Sequence, residues 1–153
     1  IFGNIGNKVP KVNVASAKKM YAALHKAMMH GNKNSERIVR SCHDCSEGGV
    51  AVAAAEMCFG GNMGMEIDIS KIVAEGEMPN DVLLFSESNS RFVVEVKEGG
   101  EKEFEKIMKG HDFALVGKAV KEPVLTIKGK DGKAIVKDKV AELKKSWKET
   151  LNW

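Results

Sequence analysis

No run of about 18 consecutive apolar residues occurs in the chain, so no segment reads as a membrane-spanning helix. The start, Ile1-Phe2-Gly3-Asn4, has no initiator methionine and no basic-then-apolar targeting pattern. We read the 153 residues as one domain, 1–153, of a longer multidomain polypeptide, with the missing part expected on the N-terminal side and Trp147 to Trp153 expected to be a natural helix end. Cysteine is scarce and odd in number: Cys42, Cys45 and Cys58. Three thiols without a regular framework point to a reducing cytoplasm rather than to a disulfide-stapled fold. Net charge is only +3. The small basic excess lies in Lys97 to Trp153, which carries 14 basic and 10 acidic residues. Those lysines are mixed with glutamates, and Phe104, Phe113, Trp147 and Trp153 are scattered, so no stacking platform for nucleic acid is evident. The chain also lacks a Walker motif, a Rossmann fingerprint, a G-x-S-x-G elbow and any internal repeat. Gly3-Asn4-Ile5-Gly6-Asn7 is too slight for a nucleotide loop.

An apolar share of 43% is enough for a core. Val9 to Val14 reads as an extended edge segment, because Pro10 cannot donate to a ladder. Ser16 can cap a helix to Met29, with Met20, Leu24, Ala27 and Met28 on its apolar face, ended by Gly31 to Asn34. Arg37 to Ser41 reads as a strand, Gly48 to Phe59 as a helix stopped by Gly60-Gly61-Asn62, and Gly64 to Ile69 as a strand with Met65, Ile67 and Ile69 on one face. Asp81 to Phe85 follows a Pro79-Asn80 start signal as a short helix. Arg91 to Val96 is a strand. Glu101 to Lys109 is a helix with Phe104, Ile107 and Met108 inward. Phe113 to Val120 is a strand in which Gly117 suggests a bulge. Val124 to Lys128 and Ala134 to Val136 form a hairpin around Lys130-Asp131-Gly132. Asp138 caps a last helix that buries Val140, Leu143 and Trp147. The expected class is α+β, with a mixed, mainly antiparallel sheet covered by helices.

The chemistry-bearing stretch is His43-Asp44-Cys45-Ser46-Glu47-Gly48-Gly49, followed by the small residues Val50 to Ala55. Small residues at a helix start allow close approach of chain or ligand. Unpaired N–H groups there attract anions, with roughly 0.3–1 kcal/mol from the dipole per charge. Asp44 with Glu47 three residues on also has the spacing of a capping box, so the segment is either a well-made helix start or a phosphate contact. Two carboxylates beside an anion repel it. A phosphate here needs a bridging Mg²⁺ on Asp44 and Glu47, or binding by Ser46 and the Gly48 and Gly49 amides with the acids turned aside. His43 either donates to an anion or packs at a strand end. Cys42-His43-Asp44-Cys45 is formally C-x-x-C, but Cys58, His25, His30 and His111 show no paired ligand spacing, and incidental thiols are the expectation. A second polar cluster, Ser86-Glu87-Ser88-Asn89-Ser90-Arg91, is either a plain turn or a lip facing a polar, anionic ligand.

Taken together, "HDCSEGGVAVAAAEM" and "LLFSESNSRFVVEV" resemble the C-terminal domain of phosphoribosylformylglycinamidine synthase, the large synthetase subunit of purine biosynthesis. The matching positions are His43, Asp44, Ser46, Glu47, Gly48, Gly49, Glu56 and Met57, then Phe85, Ser86, Glu87, Ser90 and Arg91. Cys42 and Cys45 depart from the small or aliphatic residues more usual there. The wider superfamily includes aminoimidazole ribonucleotide synthetase, selenophosphate synthetase and thiamine-monophosphate kinase. The resemblance implies an ATP- and Mg²⁺-dependent ligase that converts formylglycinamide ribonucleotide to the amidine with glutamine-derived ammonia. It implies that the catalytic histidine and most ATP contacts lie in upstream domains, and that a glutaminase and a small bridging subunit are partners. It further implies that this chain alone is inactive and completes a shared cleft. His43, Asp44, Ser46, Glu47, Gly48, Gly49, Glu87, Ser90 and Arg91 are then the candidate substrate- and phosphate-binding residues, with Asp44 and Glu47 as candidate metal ligands. The alternatives are a related member of that superfamily, similar to selenophosphate synthetase, aminoimidazole ribonucleotide synthetase or thiamine-monophosphate kinase, and a non-catalytic scaffold domain.

Overall fold

A computed structural model describes residues 10–31 and 36–149. The Gly3 to Asn7 glycine pair, Val9, the helix stop at Asn32 to Asn34 and the chain end at 150–153 lie outside the described residues. Helix α1 (Val14–Met29) is followed by β1 (Val39–Asp44), α2 (Gly49–Gly61), β2 (Gly64–Asp68) and a single 3-10 turn, Ile69–Lys71. Then come α3 (Asn80–Phe85), β3 (Phe92–Val96), α4 (Glu101–Met108), β4 (Gly117–Val120), β5 (Val124–Lys128), β6 (Ala134–Lys139) and α5 (Val140–Glu149).

The expected α+β class holds, but the strands divide into two sheets. One is an antiparallel pair, β1 with β3; the other has the order β4-β2-β5-β6. In the larger sheet β2 runs parallel to β5 and the remaining pairs are antiparallel. Helix α2 explains how both are served. It is apolar nearly all round, and such a helix is stable only when surrounded. Its Ala51, Ala54 and Cys58 join Ile67, Ile69, Leu125, Ile127 and Val140 in the main core. Its Val50 and Ala53 pack instead with Cys45 and Val93. A third cluster fills the space between α1, α4 and the opposite face of the strand pair, through Leu24, Ala27, Val39, Phe104 and Met108.

Several local expectations are corrected. Asn13, not Ser16, caps α1, its carboxamide oxygen accepting from the Ser16 N–H at 3.1 Å. Met28, expected on the apolar face, is exposed. The first strand runs on to Asp44, because its register with β3 continues through His43 opposite Val93 and Asp44 opposite Phe92. Phe113 to Val116 is not strand; β4 begins at Gly117. That glycine marks a close approach rather than a bulge, since a Cβ there would lie 2.0 Å from the Glu66 carbonyl oxygen. Asp138 does not cap α5. It pairs with Leu125 inside β6, which passes directly into the helix. Val140 is fully buried as expected, whereas Trp147 is half exposed.

Candidate functional site

The bend after β1 turns on two consecutive glycines in left-handed backbone, Gly48 at φ +78° and Gly49 at φ +62°. Side chains rarely adopt that conformation. At Gly49 the space is closed too: a Cβ would sit 2.7 Å from the Leu84 carbonyl oxygen and 2.8 Å from that of Ser86. The double glycine thus seats the start of α2 against the end of α3. This brings the second polar cluster, Ser86 to Arg91, beside the first.

The capping box is not formed. Gly48 is the N-cap of α2 and no side chain bonds there as a cap within the helix. The Asp44 carboxylate instead accepts from the Ser46 hydroxyl. That hydrogen bond is the main reason the Asp44 carboxyl is held below its usual range; its own backbone N–H and neighbouring His43 act in the same direction. The Gly48 N–H donates to Glu87 Oε1 at 3.1 Å, and the Gly49 N–H donates to the Ser46 carbonyl at 3.1 Å. Both glycine amides proposed for an anion therefore have internal partners, one of them a carboxylate.

His43 neither points freely into solvent nor packs in apolar surroundings. Its Nδ1 lies 2.7 Å from the Asp44 carbonyl oxygen, which can only accept, so Nδ1–H donates. Its Nε2 faces Glu56 Oε2 at 3.1 Å. The other Glu56 oxygen accepts from Trp147 Nε1–H at 2.9 Å. Glu56 and Trp147 were not among the predicted site residues, although Glu56 stands within the quoted motif; its spacing of 13 residues from His43 conceals a meeting made by the strand-turn-helix path. Tyr21 was also missed. Its hydroxyl shares a 2.9 Å hydrogen bond with Ser90 Oγ, and its ring meets Phe92 edge-on. Arg91 Nη1–H donates to Ser86 Oγ at 3.1 Å. Cys45 is buried, and burial pushes its thiol up to about 11. Burial also raises Cys42 and Cys58. All three cysteines are free, so the C-x-x-C spacing does not make a disulfide.

Two cavities flank the bend. One, of about 320 Å³, is lined by His43, Asp44, Ser46, Glu47, Ala53 and Glu56. The other, of about 580 Å³, lies between Asp44 to Glu47 and the Glu87 to Phe92 segment, with Tyr21 at its side. Every predicted site side chain thus lines one cavity or the other. The lining is rich in carboxylates. Among the described residues no three His, Cys, Asp or Glu side chains converge to cage a metal. Asp44 and Glu47 are both exposed at the bend, and this donor set suits an ion that keeps waters and takes phosphate oxygens as its other ligands. No described helix is long and apolar enough to cross a membrane.

A phosphoribosylformylglycinamidine synthase subunit PurL from Methanothrix thermoacetophila is 36% identical over 151 residues, covering 99% of this chain. The chain spans only 18% of that relative's length. Thermotoga maritima PurL complexed with FGAR superposes with a TM-score of 0.73 over 92% of this chain and 23% of its own, at 22% identity. The same protein complexed with ATP gives a TM-score of 0.61 over 69% of this chain and 19% of its own, at 25% identity. A family model described as AIR synthase related protein, C-terminal domain, matches residues 3–130. With that match over most of its length, the chain belongs to the family of AIR synthase related C-terminal domains.

Proposed function

We propose that this chain works as the C-terminal domain of an ATP-dependent phosphoribosylformylglycinamidine synthase, where it completes a ligand cleft shared with other domains of the same synthetase. The observation that carries the reading is the Asp44-to-Gly49 bend, which exposes an ionised carboxylate, a hydroxyl and a second acid between two cavities. The PurL relative supports the choice of reaction by its identity over nearly the whole chain. The activity is assigned to the assembled synthetase in the cytoplasm, with a glutaminase and a small bridging subunit as partners.

In that assembly Asp44 and Glu47 would hold a Mg²⁺ by one or two carboxylate contacts, and the ion would supply positive charge to a ligand's phosphate. Ser46 orients Asp44 by donating its hydroxyl to the carboxylate. Arg91 and Ser90 offer charge and a hydroxyl to the ligand from the opposite wall. The Gly48 amide reaches an anion only by exchange with Glu87, so that carboxylate holds the helix start until a ligand takes its place. Gly49 acts through the turn, since its amide is engaged within the bend.

The test is to join the chain to the remaining synthetase domains and replace Asp44 and Ser46 by Ala. Turnover should fall on the order of 10²-fold, the penalty of misplacing a bound group. The internal partners of both glycine amides favour a second reading, in which the bend is only a helix start and a domain contact. On that reading the same substitutions lower the melting temperature and leave turnover per folded molecule intact.

A further inference from the structure

The C-terminal helix α5 lies beyond the stretch matched by the family model, which ends at residue 130, yet it reaches the candidate site. Trp147, half exposed, sends its indole N–H to Glu56 Oε1 at 2.9 Å. Its ring lies 6.1 Å from that of Phe59, one turn further along α2 from Glu56. The remaining oxygen of Glu56 faces His43 Nε2 at 3.1 Å, and the far side of that imidazole is fixed on the Asp44 carbonyl. One carboxylate therefore joins α5 to the wall of the 320 Å³ cavity.

We infer that Trp147 is a positioning residue: by holding Glu56 in one rotamer it fixes the orientation of the His43 ring in the cavity wall. The physical reason is the number of anchors. A half-buried glutamate on a helix has several rotamers open to it. The indole N–H can only donate, so it selects the rotamer that sends one carboxylate oxygen toward α5, leaving the other aimed at His43. Both ring nitrogens of His43 then face oxygen acceptors. A flip of the ring would break both contacts at once. Helix α5 supplies this constraint from outside the bend, and the inference rests on the reading that the bend faces a ligand only as far as its effect on turnover is concerned.

The experiment compares two variants of the chain by ¹⁵N NMR of the His43 ring at fixed pH. Trp147→Phe keeps an aromatic ring against Phe59 but removes the N–H. Phe59→Leu disturbs the ring packing and keeps the N–H. Trp147→Phe should shift the His43 Nε2 resonance, the one that faces Glu56, while Phe59→Leu leaves it in place. Unchanged His43 resonances in Trp147→Phe, or equal shifts in both variants, would overturn the inference. The same two variants in the assembled synthetase separate it from the functional reading: a His43 shift with unaltered turnover upholds the positioning and counts against a ligand at this wall.

Discussion

At the scale of single residues, the bend is governed by short polar contacts rather than by burial. Asp44 is exposed at the bend, yet the Ser46 hydroxyl holds its carboxyl below the ordinary 3.8. A carboxyl lowered in this way favours the folded state above its unfolded pKa, and the contribution disappears as pH falls through the folded value. Replacing Ser46 by Ala should raise the Asp44 midpoint toward 3.8, read by carbon-detected NMR titration; an unmoved midpoint would show that the hydroxyl is not the cause. Cys45 has the opposite sign. With its thiol pushed up to about 11 by burial, folding is favoured in full below the unfolded value of 9.0, and that contribution is lost as pH rises through about 11. At pH 8 native Cys45 should therefore react with iodoacetamide far more slowly than the same residue in urea. Equal rates in the two states would contradict both the burial and the raised pKa.

At the scale of elements, close approach sets the strictest demands. Gly49→Ala must fit a Cβ within 2.9 Å of three backbone atoms at the end of α3, at a positive φ. Gly117→Ala meets the Glu66 carbonyl oxygen at 2.0 Å, where β4 pairs with β2. Each should cost about 3 kcal/mol or more, the range of core clashes and backbone strain, and thermal unfolding followed by circular dichroism measures it. These elements also show how far the chain could be read without coordinates. The hairpin around Asp131-Gly132 and the buried face of α4 were legible because turn chemistry and helical spacing are local signals. The division into two sheets was not, since the apolar periodicity of β1 and β3 says which residues are buried but not which partner buries them. Trp147 is expected in the interior with Val140 and Leu143. The structure gives it a half-exposed place because the Glu56 carboxylate satisfies the indole N–H at the surface. The site was legible in the same partial way. The bend and the serine-rich lip were each visible in sequence, while the Glu87 contact with Gly48, spanning 39 positions, depends on α3 packing at the double glycine.

At the scale of the whole molecule, the carboxylate-rich bend and the mixed surface charge lead to two expectations. On the proposed reading, in which the chain completes a cleft shared with other domains, the chain alone should make no amidine; joined to the rest of the synthetase it should support turnover. Amidine formation by the isolated chain, measured with ammonium as nitrogen donor, would refute the division of labour. RNA should not bind at low salt, since lysines such as Lys97, Lys118 and Lys145 are paired with glutamates and no basic aromatic strip exists among the described residues. A steep salt-dependent affinity would revive a nucleic-acid role.

The strand pair β1–β3 has one further effect. An isolated two-stranded ribbon is marginal in water, but this one is clad on both sides: Cys42, Phe92, Val94 and Val96 face α1 and α4, while Val93 faces α2. It is the party wall of two apolar compartments. Loosening either compartment strips only one side of that wall, and the Asp44 carboxylate at its end stays registered against Phe92. The ladder-bonded amide hydrogens of this narrow ribbon should thus outlast those of the solvent-bathed strand β6.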